Sequence, residues 1–213
     1  MAIHLTSRDE QMLLGLANCY RCLSSNLAAL YFWPDEDRDL RNAVRRLRAL
    51  EGAGWIQSRA AFAKRLPRLV APVVTWMPGQ SMPEFGSISY HLKNRSLGSA
   101  ETTRIYITTR LAAKRYGGSA DRWPRVSETT HDLGLAQVYL ELQETDSQRA
   151  MGWISEASIV SKGTVRGEKL PDAMVREQSG ELTVIEFGGE YSKPKLTAFH
   201  QDCARKTRRY ELW

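Results

Sequence analysis

Two short apolar segments, each interrupted by one carboxylate, constrain this chain more than any other feature. They are Leu170-Pro171-Asp172-Ala173-Met174-Val175 and Leu182-Thr183-Val184-Ile185-Glu186-Phe187-Gly188. Both read as strands, with an acid where an apolar residue would be expected. An acid among Met, Val, Ile and Phe is costly to bury unless it finds a partner, a metal or a proton. Two such acids on neighbouring strands can share a hard divalent cation such as Mg²⁺. Equally, both can lie at strand ends, solvated or paired with arginine. The residues alone leave the two readings open.

The rest of the chain is expected to surround that pair in two domains. At 213 residues with 42% hydrophobic and 25% charged residues, the composition is that of an ordinary globular protein. No apolar run approaches a membrane span and no leader-like segment opens the chain, so the expectation is a cytoplasmic protein without a membrane partner. The net charge of +6 is uneven. Residues 1–117 hold 17 Lys and Arg against 9 Asp and Glu, a balance of +8, and residues 118–213 hold 13 against 15, a balance of −2. A basic front half suits a polyanionic partner. Three cysteines exclude a disulfide framework as the organising principle. Cys19-x-x-Cys22 and His200-x-x-Cys203 together would supply four zinc ligands, but they lie far apart in sequence, and core cysteines are the preferred reading.

In the front half, Thr6 or Ser7 can cap a first helix with Met12, Leu13, Leu16 and Ala17 inward. A short second helix opens at Ser24 or Ser25, turns Leu27, Ala28 and Leu30 inward, and stops near Trp33-Pro34. The third follows Asp35-Glu36-Asp37, runs to Gly52, and carries Leu40, Val44, Leu47 and Leu50 as an apolar stripe. Its other side holds Arg38, Arg41, Asn42, Arg45, Arg46 and Arg48. Two glycines and a strand from Trp55 come next. This is the order of a winged helix-turn-helix, whose last helix enters the major groove of double-stranded DNA. The arginines would contact phosphates or guanine edges, and Asn42 adenine. A solvated arginine face is the plain alternative, but five arginines within eleven residues favour DNA. Residues 59–100 are less readable. Arg59, Lys64, Arg65, Arg68 and the run 69–74 suit a basic wing, 78–83 a loop, 104–108 a returning strand and 111–116 a short helix. Residues 117–127 are the expected linker between domains 1–117 and 128–213.

From Thr129 the reading is a helix with Leu133, Leu135, Val138, Tyr139, Leu142 and Glu141, then strands over 152–160, 170–176 and 182–187, a helix over 194–207, and a strand over 210–213. The fold class is thus α/β (α+β), with a back half ordered αβββαβ. That order, with Pro171-Asp172 on the second strand and Glu186 on the third, resembles the PD-(D/E)xK nuclease superfamily. More narrowly, the winged-helix front, His131-Asp132-Leu133, Trp153-Ile154-Ser155-Glu156, Pro171-Asp172-Ala173 and Val184-Ile185-Glu186 together resemble the replication-relaxation family of plasmids and mobile elements.

The resemblance implies that Asp172 and Glu186 hold Mg²⁺ and that Glu141 is an accessory acid. It also implies a lysine two residues after the second acid, where this chain has Gly188. Lys195, or less favourably Lys193, would have to supply that charge. Losing a preorganised cation at the reacting phosphate raises the barrier by several kcal/mol. The implied function is a DNA-binding protein acting in replication, mobilisation or transcription control, with a nuclease-like domain that is degenerate and needs no metal. The alternative is an Mg²⁺-dependent endonuclease or nickase. A homodimer or a protein partner using the nuclease-like sheet is a third reading. Glu156, after Trp153 on the first strand, could add a ligand but reads as a strand-face acid paired with Lys or Arg, His131 as a capping or surface residue, and His200 as a polar-face residue.

Overall fold

A computed structural model describes residues 3–34, 39–118, 122–161 and 170–213. The fold is mixed α and β, with two open sheets, and its contacts divide into two compact units. The first comprises residues 1–63 and 100–140, and the second residues 64–99 and 141–213. The expected domains, 1–117 and 128–213, are therefore not the units observed. The chain leaves the first unit after residue 63, returns at 100, and leaves again within the helix at 129–145.

The first unit runs α1 (Ser7–Asn18), β1 (Leu23–Ser24), α2 (Ser25–Phe32), α3 (Asp39–Gly52), β2 (Ile56–Arg65), β4 (Leu97–Thr108), α5 (Arg110–Tyr116) and the start of α6 (Thr129–Thr145). Its sheet has the order β1-β4-β2, and β1 lies antiparallel to β4 with Leu23 opposite Tyr106. Thr6 caps α1 through a reciprocal pair with Asp9, and Met12, Leu13, Leu16 and Ala17 are buried as the periodicity predicts. Two inward faces differ from expectation. In α2 the buried residues are Ala28, Ala29 and Phe32, whereas Leu30 is exposed. In α3 they are Ala43, Leu47 and Leu50, and Leu40 is 43% exposed. The true stripe is rotated because α2 packs on α3, and the alanines allow a closer approach than leucine would. Gly54, at φ +80°, makes the turn that ends α3 and launches β2.

The second unit carries a five-stranded sheet, ordered β3 (Val74–Trp76), β8 (Arg209–Leu212), β7 (Leu182–Glu186), β6 (Ala173–Arg176) and β5 (Trp153–Ser155). Only the β7–β8 pair is parallel. One cross-strand row reads Trp76, Tyr210, Val184, Met174 and Ile154, and α9 (Lys193–Arg205) lays Phe199 and Cys203 on it. Four features depart from the sequence reading. The run 69–74 is mostly not strand; β3 begins at its last residue and joins the second sheet. A helix, α4 (Phe85–Asn94), stands where none was expected. The strand expected over 152–160 ends at Ser155, where α8 (Glu156–Ser161) begins, so Glu156 opens a helix and is no strand-face acid. His200 is buried, with Nδ1 3.1 Å from the Tyr210 hydroxyl and its ring against Trp76 and Phe85, so it is no polar-face residue.

On the sheet's other face, Arg149, in the short helix α7 (Ser147–Ala150), ties two acids together. Its Nε and Nη2 donate to Glu177, and Nη2 donates to Glu211 at 2.6 Å. Glu177 also accepts the Thr183 hydroxyl at 2.6 Å, and Glu211 accepts the Trp213 indole N–H at 3.1 Å. Every charge in this set has an opposite partner, as burial demands.

Candidate functional site

The β6–β7 register brings the two sequence-predicted acids together. Ala173 pairs with Ile185 and Met174 with Val184, so one step further Asp172 stands opposite Glu186. In an antiparallel pair, opposed residues share a face. For Glu186 that is the face Val184 presents to α9. Asp172 Oδ2 accepts the Phe187 backbone N–H at 2.8 Å, which pins its carboxylate at the end of the strand. Glu186 is only 1% exposed, and its Oε1 accepts the Tyr191 hydroxyl at 2.8 Å. Burial, together with the charges of Glu186 and Asp172, pushes the Tyr191 hydroxyl far above its ordinary pKa, so Tyr191 is a neutral donor. Lys195 lies on the far side of that tyrosine, with Nζ 3.4 Å from the centre of the Tyr191 ring. A small pocket beside Glu186, lined by Pro171, Val184, Phe199, Asp202 and Arg208, has a cavity volume near 20 Å³, room for about one water.

Packing accounts for glycine at the position where the resemblance expects lysine. A Cβ on Gly188 would lie 2.8 Å from Leu92 Cδ1 and 3.1 Å from Leu212 Cδ1. Leu92 belongs to α4, whose Ser89 hydroxyl also holds the Tyr191 carbonyl at 2.9 Å, and Tyr191 packs on the cluster of Phe85, Leu92, Leu196 and Leu212. The helix absent from the sequence reading thus fixes the loop between β7, the strand of Glu186, and α9, and it occupies the space a residue-188 side chain needs. Lys195, the third residue of α9, sets its ammonium over the Tyr191 ring.

Glu141, expected as an accessory acid, is 3% exposed and held by Arg68, whose Nε lies 3.0 Å from Oε2. Lys193 is the first residue of α9 and is exposed. Tyr191 carried no sequence signal beyond its place midway between Glu186 and Lys195. Among the described residues no group of three or more His, Cys, Asp or Glu side chains is placed to hold a metal. The zinc set does not assemble as a first-unit motif: Cys22 packs with Ile105, Ile107 and Leu133. Cys203 packs with Trp76 and Phe199, and none of the three cysteines is in a disulfide.

In the first unit, α3 divides its basic residues between two tasks. Arg41, Arg45 and Arg48 are exposed, and Asn42 is half-buried. Arg46 turns inward: Nε donates to Asp9 Oδ1 at 2.9 Å and Nη2 to the His4 carbonyl at 2.7 Å. Burial would raise the Asp9 pKa, but hydrogen bonds from Arg46 and Thr6 outweigh it and hold the carboxyl below its ordinary value. Arg46 therefore ties α3 to α1. Arg38 lies outside the described residues. Asp132, in the motif His131-Asp132-Leu133, is paired with Arg21 at 2.9 Å and with His131 at 3.4 Å, and so belongs to the frame of this unit.

No family model, no curated protein and no solved structure matches this chain.

Proposed function

We propose that the chain is a double-stranded-DNA-binding protein, with the first unit acting as a winged helix-turn-helix and α3 as its recognition helix. The observation that carries this reading is the outward set Arg41, Arg45 and Arg48 on the third helix of an α1-β1-α2-α3-β2-β4 order with β4 central. Three exposed guanidiniums on one helix match phosphates spaced along a groove. Fluorescence anisotropy against salt on a labelled duplex tests it. Arg41→Ala with Arg45→Ala lowers the slope of log K against log salt by about two, because two phosphate contacts are lost. An unchanged slope refutes the docking.

A second reading is favoured by one specific observation, the opposition of Asp172 and Glu186 with Lys195 one aromatic ring away. Two hard-oxygen donors suit Mg²⁺, which keeps several waters and takes substrate phosphate as further ligands. When bound, Mg²⁺ supplies polarisation of a phosphoryl oxygen and a more acidic water. The chain's own residues would position that chemistry. Phe187 N–H orients Asp172, Tyr191 orients Glu186, and Lys195 brings positive charge toward the phosphate. Supercoiled plasmid with Mg²⁺ or Mn²⁺ is nicked by the wild type and not by Asp172→Ala, while calorimetric Mn²⁺ binding falls in the same variant. Equal nicking by both proteins, or none by either, removes this reading and leaves the first intact.

A further inference from the structure

The basic wing expected after α3 is largely committed elsewhere. The chain from residue 64 to residue 99 folds with the second unit, where Arg68 is held by Glu141 and Glu144, and Lys64 by Glu190. On β2, Arg59 donates from Nη2 to the Pro124 carbonyl, and its guanidinium lies 4.7 Å from the centre of the Trp123 ring. Arg104, on the neighbouring strand β4, is a different case. It is exposed, and its Nη1 donates to the Ser58 hydroxyl at 2.9 Å. Ser58 is itself fixed by α3: its backbone N–H and its hydroxyl both donate to Glu51 Oε1, at 2.9 and 2.7 Å. The side chains thus form one directed series, Arg104 to Ser58 to Glu51. A hydroxyl that donates to a carboxylate is a better acceptor for a guanidinium, because bonds in series polarise one another.

Glu51 places that series next to the exposed arginines of α3. It stands three residues after Arg48, which stands three after Arg45 and seven after Arg41, so the four side chains follow one another along adjacent helix positions. The arginine row therefore runs on through Glu51 and Ser58 to Arg104. Ile105 and Ile107 pack in the core cluster, and strand alternation turns Arg104 to the other face of the sheet.

Stability gains little from the last link. Glu51 already has both Ser58 donors, and one exposed hydrogen bond adds little against the entropy of holding a long side chain still. What the link does is aim. With Nη1 engaged, the remaining donors of the planar fork are presented from a fixed position, the arrangement that grips a phosphate. A residue on a strand beside the helix that enters the groove meets the backbone and not the base edges.

We propose that Arg104 contacts a backbone phosphate of duplex DNA, and that Ser58, held by Glu51, is the positioning residue that aims it. The choice of partner rests on the reading of α3 as a recognition helix. The contact stands in for a wing whose chain is given over to the second unit.

The test is fluorescence anisotropy of the full chain on a labelled duplex across a salt series. Arg104→Ala is expected to weaken binding about tenfold and to lower the slope of log K against log salt by about one. Ser58→Ala keeps every charge, so the slope should stay at the wild-type value while binding weakens about threefold. It should cost nothing further in the Arg104→Ala background, because the two residues act as one unit. Ser58→Thr, which keeps the hydroxyl, is expected to bind as wild type does. Arg41→Ala with Arg45→Ala is measured in the same series and separates this contact from the α3 reading. An α3 effect with an unchanged slope in Arg104→Ala overturns the proposal and leaves α3 standing. A lowered slope in Arg104→Ala with no α3 effect upholds the contact and removes the recognition helix. Additive losses for Ser58→Ala and Arg104→Ala overturn the aiming role, and no binding by wild type overturns the whole. Should Ser58→Ala fail to fold, Arg104→Lys decides, since it keeps the charge and loses the fork. Weaker binding at an unchanged slope supports an aimed fork, and wild-type affinity overturns it.

Discussion

Removing the cation from the Arg149–Glu177–Glu211 set is the most exacting perturbation the second unit offers. Arg149→Met keeps much of the side-chain volume and deletes the charge-assisted bonds to both acids. The Glu211 and Glu177 side chains are 7% and 16% exposed, so water cannot replace the guanidinium fully. Breaking a buried pair from one side costs about 3–5 kcal/mol. The low end applies here, because Glu177 keeps the Thr183 hydroxyl and Glu211 keeps the Trp213 N–H. A loss of about 3 kcal/mol corresponds to a fall of about 1–1.5 M in urea midpoint at an m-value of about 2–3 kcal/mol/M. The triple variant Arg149→Met, Glu177→Gln, Glu211→Gln should regain at least half of it, since no uncompensated charge remains and both amides still accept.

The pH dependence adds a second check. Burial raises the Glu177 pKa, but hydrogen bonds from Arg149 and Thr183 outweigh it and hold the folded value below the ordinary 4.5. A depressed folded value means the contribution is complete above the unfolded pKa and is lost as pH falls through the folded one. The gap between wild type and Arg149→Met therefore narrows below about pH 4. Urea unfolding followed by circular dichroism at pH 7 and pH 3.5 measures both effects. A loss under about 1 kcal/mol at pH 7, or a triple variant no better than the single, refutes the reasoning.

Two further predictions follow from packing. Gly152→Ala places a Cβ 2.1 Å from the Arg176 carbonyl oxygen, a backbone atom that cannot step aside, so the β5–β6 edge must open; thermal melting should show a loss of at least about 2 kcal/mol, and a wild-type melting curve refutes the clash. Burial lowers the His200 pKa below 6.5, so the unfolded chain takes up a proton first and stability declines as pH falls from about 6.5; His200→Phe should flatten that slope in urea titrations at pH 7 and 5.5, whereas an unchanged slope assigns it elsewhere.

The acids' opposition was legible because strand alternation forces register: Val184 and Glu186 share a face, and only one pairing sets Asp172 across from Glu186. α1 and α5 were legible through local chemistry, the Thr6–Asp9 box in one and the left-handed Gly117 in the other. α4 was not, because Gly86, Ser87 and Ser89 are poor helix formers and its packing on α9 and Leu212 holds it. Ile159 and Val160 suggested a strand, yet Glu156 starts a helix there, and β-branching ranks below tertiary context. Arg46 looked identical to its neighbours in sequence, and its task depends on Asp9, 37 positions away. Tyr191 gains meaning only from what folds against it.

The pairing of Val74–Trp76 with Tyr210–Leu212 has a consequence for biosynthesis. Some 138 positions separate Val74 from Leu212. At ribosomal rates of about 5–20 residues per second, the earlier segment waits roughly 7–28 s for its mate. Through that interval Trp76 and its neighbours are a bare adhesive edge, and a nascent chain is exposed there to capture by the wrong strand.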